Sequence, residues 1–128
     1  MNVKRITAVL LAEELEPCVR FWTERMGFEK TAAVPDGDRL MFAQLSKGSV
    51  ELMYQTYASV ERSDPKAGAM ARKGPTFLYL EVDDLAAAKT ALEGAEFTME
   101  EYTTFYGSRE FGVKDPAGHF LTFAQFGG

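Results

Sequence analysis

Few side chains in this 128-residue chain can carry chemistry. His119 is the only histidine and Cys18 the only cysteine, so a two-histidine iron site and an intrachain disulfide are both excluded by arithmetic. His119 follows the turn-like run Asp115-Pro116-Ala117-Gly118 and reads as a turn or surface histidine. Cys18 stands beside Val19 and Trp22 in a helical pattern and reads as a small buried or half-buried thiol. There is no glycine-rich phosphate loop and no G-x-S-x-G elbow, and no residue is nominated as catalytic. What remains is a set of carboxylates among aromatic rings: Glu51, Glu81 and Glu110. A carboxylate partly buried beside rings disfavours its own charge unless a cation answers it, so this combination points to a basic or amine-bearing ligand. Glu51, in mid-strand between Val50 and Leu52, is the strongest of the three. Glu81 and Glu110, nearer strand ends, read as hydrated or paired with Lys114 or an arginine.

Strand parity is what collects these residues. Successive side chains of a strand point to opposite faces. One parity set is uniformly apolar: Ile6, Ala8, Leu10, Met41, Ala43, Leu45, Val50, Leu52, Leu78, Leu80, Val82, Phe111, Val113, Leu121 and Phe123. It should form the core under the helices. The other set mixes rings, methionine and polar groups: Thr7, Val9, Leu11, Leu40, Phe42, Gln44, Ser49, Glu51, Met53, Phe77, Tyr79, Glu81, Glu110, Gly112, Lys114, Phe120, Thr122 and Ala124. Rings left facing water cost roughly 25 cal/mol per Å2, so this face must meet a small molecule, a partner subunit or the other half of the chain. The last of these would make it an internal core with no ligand site.

The positioning elements are written twice. Residues 3–55 and 75–125 share a plan of strand, helix, then short strands joined by turns, which predicts two βαβββ modules of an α+β fold. Leu10–Leu15 answers Leu80–Leu85, Arg39 answers Arg109, and Lys47-Gly48 answers Ala117-Gly118. Glu14 and Asp84 are placed to cap the two helices. Leu15, Val19, Trp22 and Met26 recur at helical spacing in the first, Leu85, Ala88 and Leu92 in the second, and Gly27 and Gly94 fall where each helix should stop. Ser46-Lys47-Gly48 and Asp115–Gly118 read as hairpin turns. Residues 56–74 show no clear period and read as a linker with one helical turn; residues 100–110 read as a loop bringing Tyr102, Phe105 and Tyr106 near the cleft mouth.

Composition bounds the rest. The length suits one domain spanning 1–128, able to bury a core without disulfides, and 46% hydrophobic and 26% charged residues are ordinary for a folded domain. A net charge of −5 opposes nucleic acid and favours a cationic partner. No stretch has the apolar length of a membrane span, and the first residues lack a secretory pattern, so the expected location is cytoplasmic.

The segments Phe21–Lys30 (FWTERMGFEK), Phe77–Leu85 (FLYLEVDDL) and above all Arg109–Phe123 (REFGVKDPAGHFLTF) resemble the vicinal oxygen chelate superfamily, which groups glyoxalases, extradiol dioxygenases and bleomycin resistance proteins; the wording is most similar to the bleomycin resistance branch. The resemblance spans nearly the whole chain. It implies a curved mixed sheet built from the two modules, and twofold dimers with two clefts. It also implies metal-ligand positions in the first and last strand of each module. Those positions are Thr7, Glu51, Phe77 and Thr122 here, and only Glu51 keeps a strong donor. One carboxylate with two hydroxyls makes no tight site, so no metal and no cofactor is expected. The reading is a metal-free protein sequestering a cationic antibiotic or similar metabolite in a cleft lined by Thr7, Phe42, Glu51, Met53, Phe77, Tyr79, Glu81, Tyr106, Glu110, Phe120 and Thr122. The alternatives are a metal-dependent lyase or dioxygenase of the glyoxalase type, and a cleft filled by module pairing. The N-terminal segment Met1–Ile6 lacks the proline-containing arm common in bleomycin-binding relatives, which leaves arm exchange open.

Overall fold

The computed structural model describes residues 1–127. The chain divides into two compact units, Met1–Gly74 and Pro75–Gly128, and each repeats the same α+β plan. In the first, β1 (Ala8–Ala12) leads to α1 (Glu16–Arg20), continued by a π-helical turn over Phe21–Arg25, and then to β2 (Glu29–Asp36), β3 (Arg39–Lys47) and β4 (Val50–Thr56). In the second, β5 (Phe77–Glu81) is followed by α4 (Leu85–Ala91), β6 (Glu96–Thr103), β7 (Ser108–Lys114) and β8 (Phe120–Phe126). The strand orders are β1-β4-β3-β2 and β5-β8-β7-β6, so the duplication extends to the sheet topology. In both sheets the first strand pairs in parallel with the last, and the other neighbours are antiparallel.

The apolar parity set supplies most of the sheet core. Leu10, Ala43, Leu45 and Leu52 pack with Leu15, Cys18 and Trp22 of the first unit, and Phe111, Val113, Leu121 and Phe123 are buried in the second with Leu85 and Leu92. Tyr54, of the same parity as Leu52 but not included in that set, is fully buried; the Trp22 indole N–H donates to its hydroxyl at 2.8 Å, which satisfies that polar donor inside the core. Ile6 and Val50, expected in the core, are exposed, Ile6 at 91%. Ile6 precedes the first residue of β1 and Val50 is the first residue of β4, so both lie at the sheet's end rather than under a helix.

Helix termini follow the sequence in one module and depart from it in the other. Asp84 caps α4, its carboxylate accepting the Ala87 N–H at 3.0 Å. Glu14 does not cap α1: Leu15 occupies that place without a side-chain bond, Pro17 fills the first turn, and Glu14 pairs with Arg39 at 3.4 Å. Its neighbour Glu16 reaches sideways to accept the Leu40 N–H at 2.8 Å, a bond that holds this carboxyl below the usual range. Gly27 and Gly94 take φ of 71° and 85° where the helical segments stop, a region that costs a side chain but not glycine.

Two expectations of irregular structure are corrected. Residues 56–74 hold two helices, α2 (Tyr57–Ser63) and α3 (Pro65–Ala71), capped by Thr56 and Asp64. Gly68 makes their close packing possible, since a Cβ there would lie 3.1 Å from Glu61 Cα. Arg72, just after α3, clasps Glu61 at 2.6 Å and Glu13 at 2.5 Å. Residues 100–110 are a hairpin rather than a loop: β6 runs to Thr103 and β7 starts at Ser108, with only Thr104–Gly107 between them.

Candidate functional site

In the first unit the mixed face carries Thr7, Met53, Phe42 and Glu51. Val9, Met53 and Gln44 are neighbours across β1, β4 and β3, and Glu51 lies opposite Ser46. The Glu51 carboxylate is well supplied with partners. The Thr7 hydroxyl donates to it at 2.8 Å, the Gln44 amide at 3.0 Å, and the Arg5 guanidinium stands 3.3 Å away. Thr7 and Glu51 are therefore bonded to one another, and Arg5, which lay outside the expected site, joins them. An open depression of about 350 Å3 adjoins this group, lined by Arg5, Ile6, Gly48, Ser49, Val50 and Glu51.

The second unit assembles more. Phe77 and Phe120 are register partners on β5 and β8, and their rings stack at 5.1 Å between centroids. Phe77 is 73% exposed and Tyr79, two residues on, 52%. Lys114 sits 5.3 Å over the Phe120 ring and pairs with Glu96 at 3.4 Å. Thr122 faces Tyr79 across the β5–β8 pair, and Glu81 at the end of β5 is exposed.

Glu110 is the departure from expectation. It is neither hydrated nor paired with Lys114 or an arginine: it is 2% exposed and held by hydroxyl groups. Tyr79 donates to its Oε2, as do Tyr106 and Ser108, each of the latter at 2.7 Å. Burial pushes the Glu110 carboxyl up, and the bonds from Tyr79, Ser108 and Tyr106 outweigh it, leaving the group below the usual range. Correspondingly, the bond to Glu110 pushes the Tyr79 phenol up, so this hydroxyl is held as a donor. Burial does the same for Tyr102, with the Glu110 charge adding to it. Ser108 is fixed in turn by Thr104, whose hydroxyl accepts the Ser108 N–H at 3.0 Å. The tight turn between β6 and β7 accounts for the cluster. It folds Tyr106 back over Glu110 four residues later, and alternation along β7 puts Ser108 and Glu110 on one face. Ser108 and Thr104 had no place in the expected site; their signal was the same-parity spacing of Ser108 and Glu110.

His119 is also corrected. It is 3% exposed rather than at the surface. Its Nδ1 accepts the Thr76 N–H at 2.9 Å, and its backbone N–H donates to Asp115 Oδ1 at 2.7 Å. The ring ties the β7–β8 turn to the start of β5 and takes no part in the mixed face.

The donor chemistry at the positions where the resemblance puts a metal does not suit one. Thr7 and Glu51 are bonded to one another, Arg5 brings positive charge to the same carboxylate, and Phe77 and Thr122 contribute a ring and a hydroxyl. Among the described residues no group of three His, Cys, Asp or Glu side chains is gathered in metal-binding geometry. Nor, among those residues, is any helix long and apolar enough to cross a membrane.

Each unit is a βαβββ module whose own sheet carries one mixed face of rings and polar groups. Residues 5–123 match the family model described as Glyoxalase/Bleomycin resistance protein/Dioxygenase superfamily. The chain belongs to that superfamily. Solved structures agree on the fold. A superfamily member from Sphaerobacter thermophilus aligns with a TM-score of 0.75 at 19% identity, covering 98% of each chain. Lactoylglutathione lyase from Agrobacterium tumefaciens aligns at 0.73 and 20%, covering 97% of this chain and 95% of the other. TioX from Micromonospora sp. ML1 aligns at 0.70 and 17%, covering 98% of each. No curated protein matches the sequence.

Proposed function

We propose that this protein captures a small cationic molecule that carries an aromatic group, without chemical turnover and without a metal, in the manner of the bleomycin resistance branch of its superfamily. One observation carries the reading. The stacked Phe77–Phe120 pair and Tyr79 leave ring surface in solvent on the same sheet face that bears the buried Glu110. Exposed rings beside an anion bind what water solvates poorly, a flat apolar body with a positive group. The net charge of −5 favours the approach of such a cation. The poor donor set at Thr7, Glu51, Phe77 and Thr122 supports capture over Lewis-acid chemistry. In this reading the protein works in the cytoplasm as a homodimer, and an antibiotic is the natural guest.

A thermal-shift screen of bleomycin-like, mitomycin-like and peptide antibiotics, run with and without divalent metals, tests it. A binding compound at one hundred times its Kd should add about 2.7 kcal/mol of stability, and metal should change nothing. Stoichiometric nickel, zinc or iron retained through dialysis would instead favour a lyase or dioxygenase. Silence from every cationic compound would remove antibiotic capture.

A further inference from the structure

We propose that Glu110, not Glu51, anchors the guest's ammonium group, and that the site selects arylalkylammonium compounds with the aromatic ring on the Phe77–Phe120 pair. The proposal rests on the capture reading above and specifies its chemistry.

The three carboxylates of the mixed face differ in what already neutralises them. Glu81 is exposed, and water screens it. Glu51 has the Arg5 guanidinium at 3.3 Å, so an incoming cation would compete with a resident one. Glu110 is 2% exposed, and among the described residues it forms no ion pair. Its neighbours along β7 are engaged elsewhere, Arg109 with Glu101 at 3.4 Å and Lys114 with Glu96 at 3.4 Å. Three neutral hydroxyls, from Tyr79, Tyr106 and Ser108, solvate it, all on Oε2. The result is a whole negative charge held by dipoles alone. Where water is scarce a cation feels such a charge several times more strongly than at an open surface.

The surroundings suit an organic cation better than an inorganic one. Tyr79, Tyr102 and Tyr106 each keep about half their surface exposed, and phenol rings attract ammonium groups through their faces. Register sets the distance between the two halves of the guest. Phe120 pairs with Phe77, while Ala124 pairs with both Glu81 and Glu110. The ring stack and the carboxylate are thus four residues apart along β8, roughly 13 Å at about 3.3 Å per residue. Tyr79 lies between them and its hydroxyl reaches Glu110. A phenyl group joined to an amine by a flexible spacer of several carbons fits this layout.

The test compares 6-phenylhexylammonium, whose extended spacer and ammonium contact span about the 13 Å between ring stack and carboxylate, with neutral 6-phenylhexanol by calorimetric titration. The ammonium should bind at least tenfold more tightly to the wild-type protein. Glu110→Gln, whose amide oxygen still accepts the hydroxyls, should erase that preference, and Glu51→Gln should keep it. In the wild-type complex the methylene beside the ammonium should show nuclear Overhauser contacts to ring protons of Tyr79 and Tyr106, a measurement that stands even if Glu110→Gln fails to fold. Equal affinity for the two compounds would overturn the anchor while leaving capture on the rings intact. A preference lost in Glu51→Gln, or contacts to Val9 and Met53 instead, would overturn it in favour of the other unit. Binding of neither compound would overturn both the anchor and the ring platform.

Discussion

Glu110 shows how a single residue's role depends on what surrounds it. By type and register partner it resembles Glu81, since both lie opposite Ala124, yet one is exposed to water and the other is solvated by three hydroxyls. Its carboxyl is held below the usual range, so the folded state keeps the proton off to lower pH than the unfolded chain does. The resulting stabilisation is present above the unfolded carboxylate value of about 4.3 and is lost as pH falls through the depressed folded value. Denaturant titrations of wild type and Glu110→Gln should therefore converge as pH drops from about 5 towards 3, because only the wild type has this proton to take up. A stability difference that stays constant or widens on acidification would contradict the assignment. His119 teaches the complementary lesson. A lone histidine beside a turn read as a turn or surface histidine, and packing buried it as an acceptor for a backbone N–H.

Short elements in this protein depend on their ends. The α-helices have five to seven residues, too few to be stable from propensity alone, so caps and packing decide them. Asp84 is the clearest case, and Asp84→Ala should cost about 1 kcal/mol. Urea unfolding monitored by circular dichroism would register this as a lower midpoint with an unchanged slope; no change in midpoint would mean that α4 is set by Leu85 and Leu92 burial alone. The helices α2 and α3 carried comparable signals, Thr56 three residues before Ser59 and Asp64 followed by Pro65. They were hidden because Gly68, Pro65 and the two serines Ser59 and Ser63 read as loop chemistry. The glycine is there for close approach to Glu61, a reason visible only once the two helices are side by side.

At the scale of the molecule, the duplicated topology is the strongest structural fact, since the two sheets share one strand order. Among the described residues each unit carries exposed large apolar side chains, Ile6 and Met70 in the first, Phe77 and Phe105 in the second. Exposed groups of this size suit a second copy of the chain. Sedimentation equilibrium should return twice the 14.2 kDa chain mass at micromolar concentration; a monomer mass across the accessible range would remove the homodimer from the proposed function.

Amino-acid order alone determined the two-module plan, the faces of the strands, the stops at Gly27 and Gly94, and the family. These are set by short-range periods and turn chemistry, which repeat within a few residues and can be read without knowing what lies across the sheet. It also placed Phe77, Tyr79, Phe120 and Glu110 on one kind of face. Which carboxylate is neutralised, and by what, belonged to the tertiary structure. Tyr79 reaches Glu110 from 31 residues away, and Arg5, ahead of β1, reaches Glu51 of β4. Such partners are fixed by strand register and side-chain reach, and neither leaves a local period in the chain.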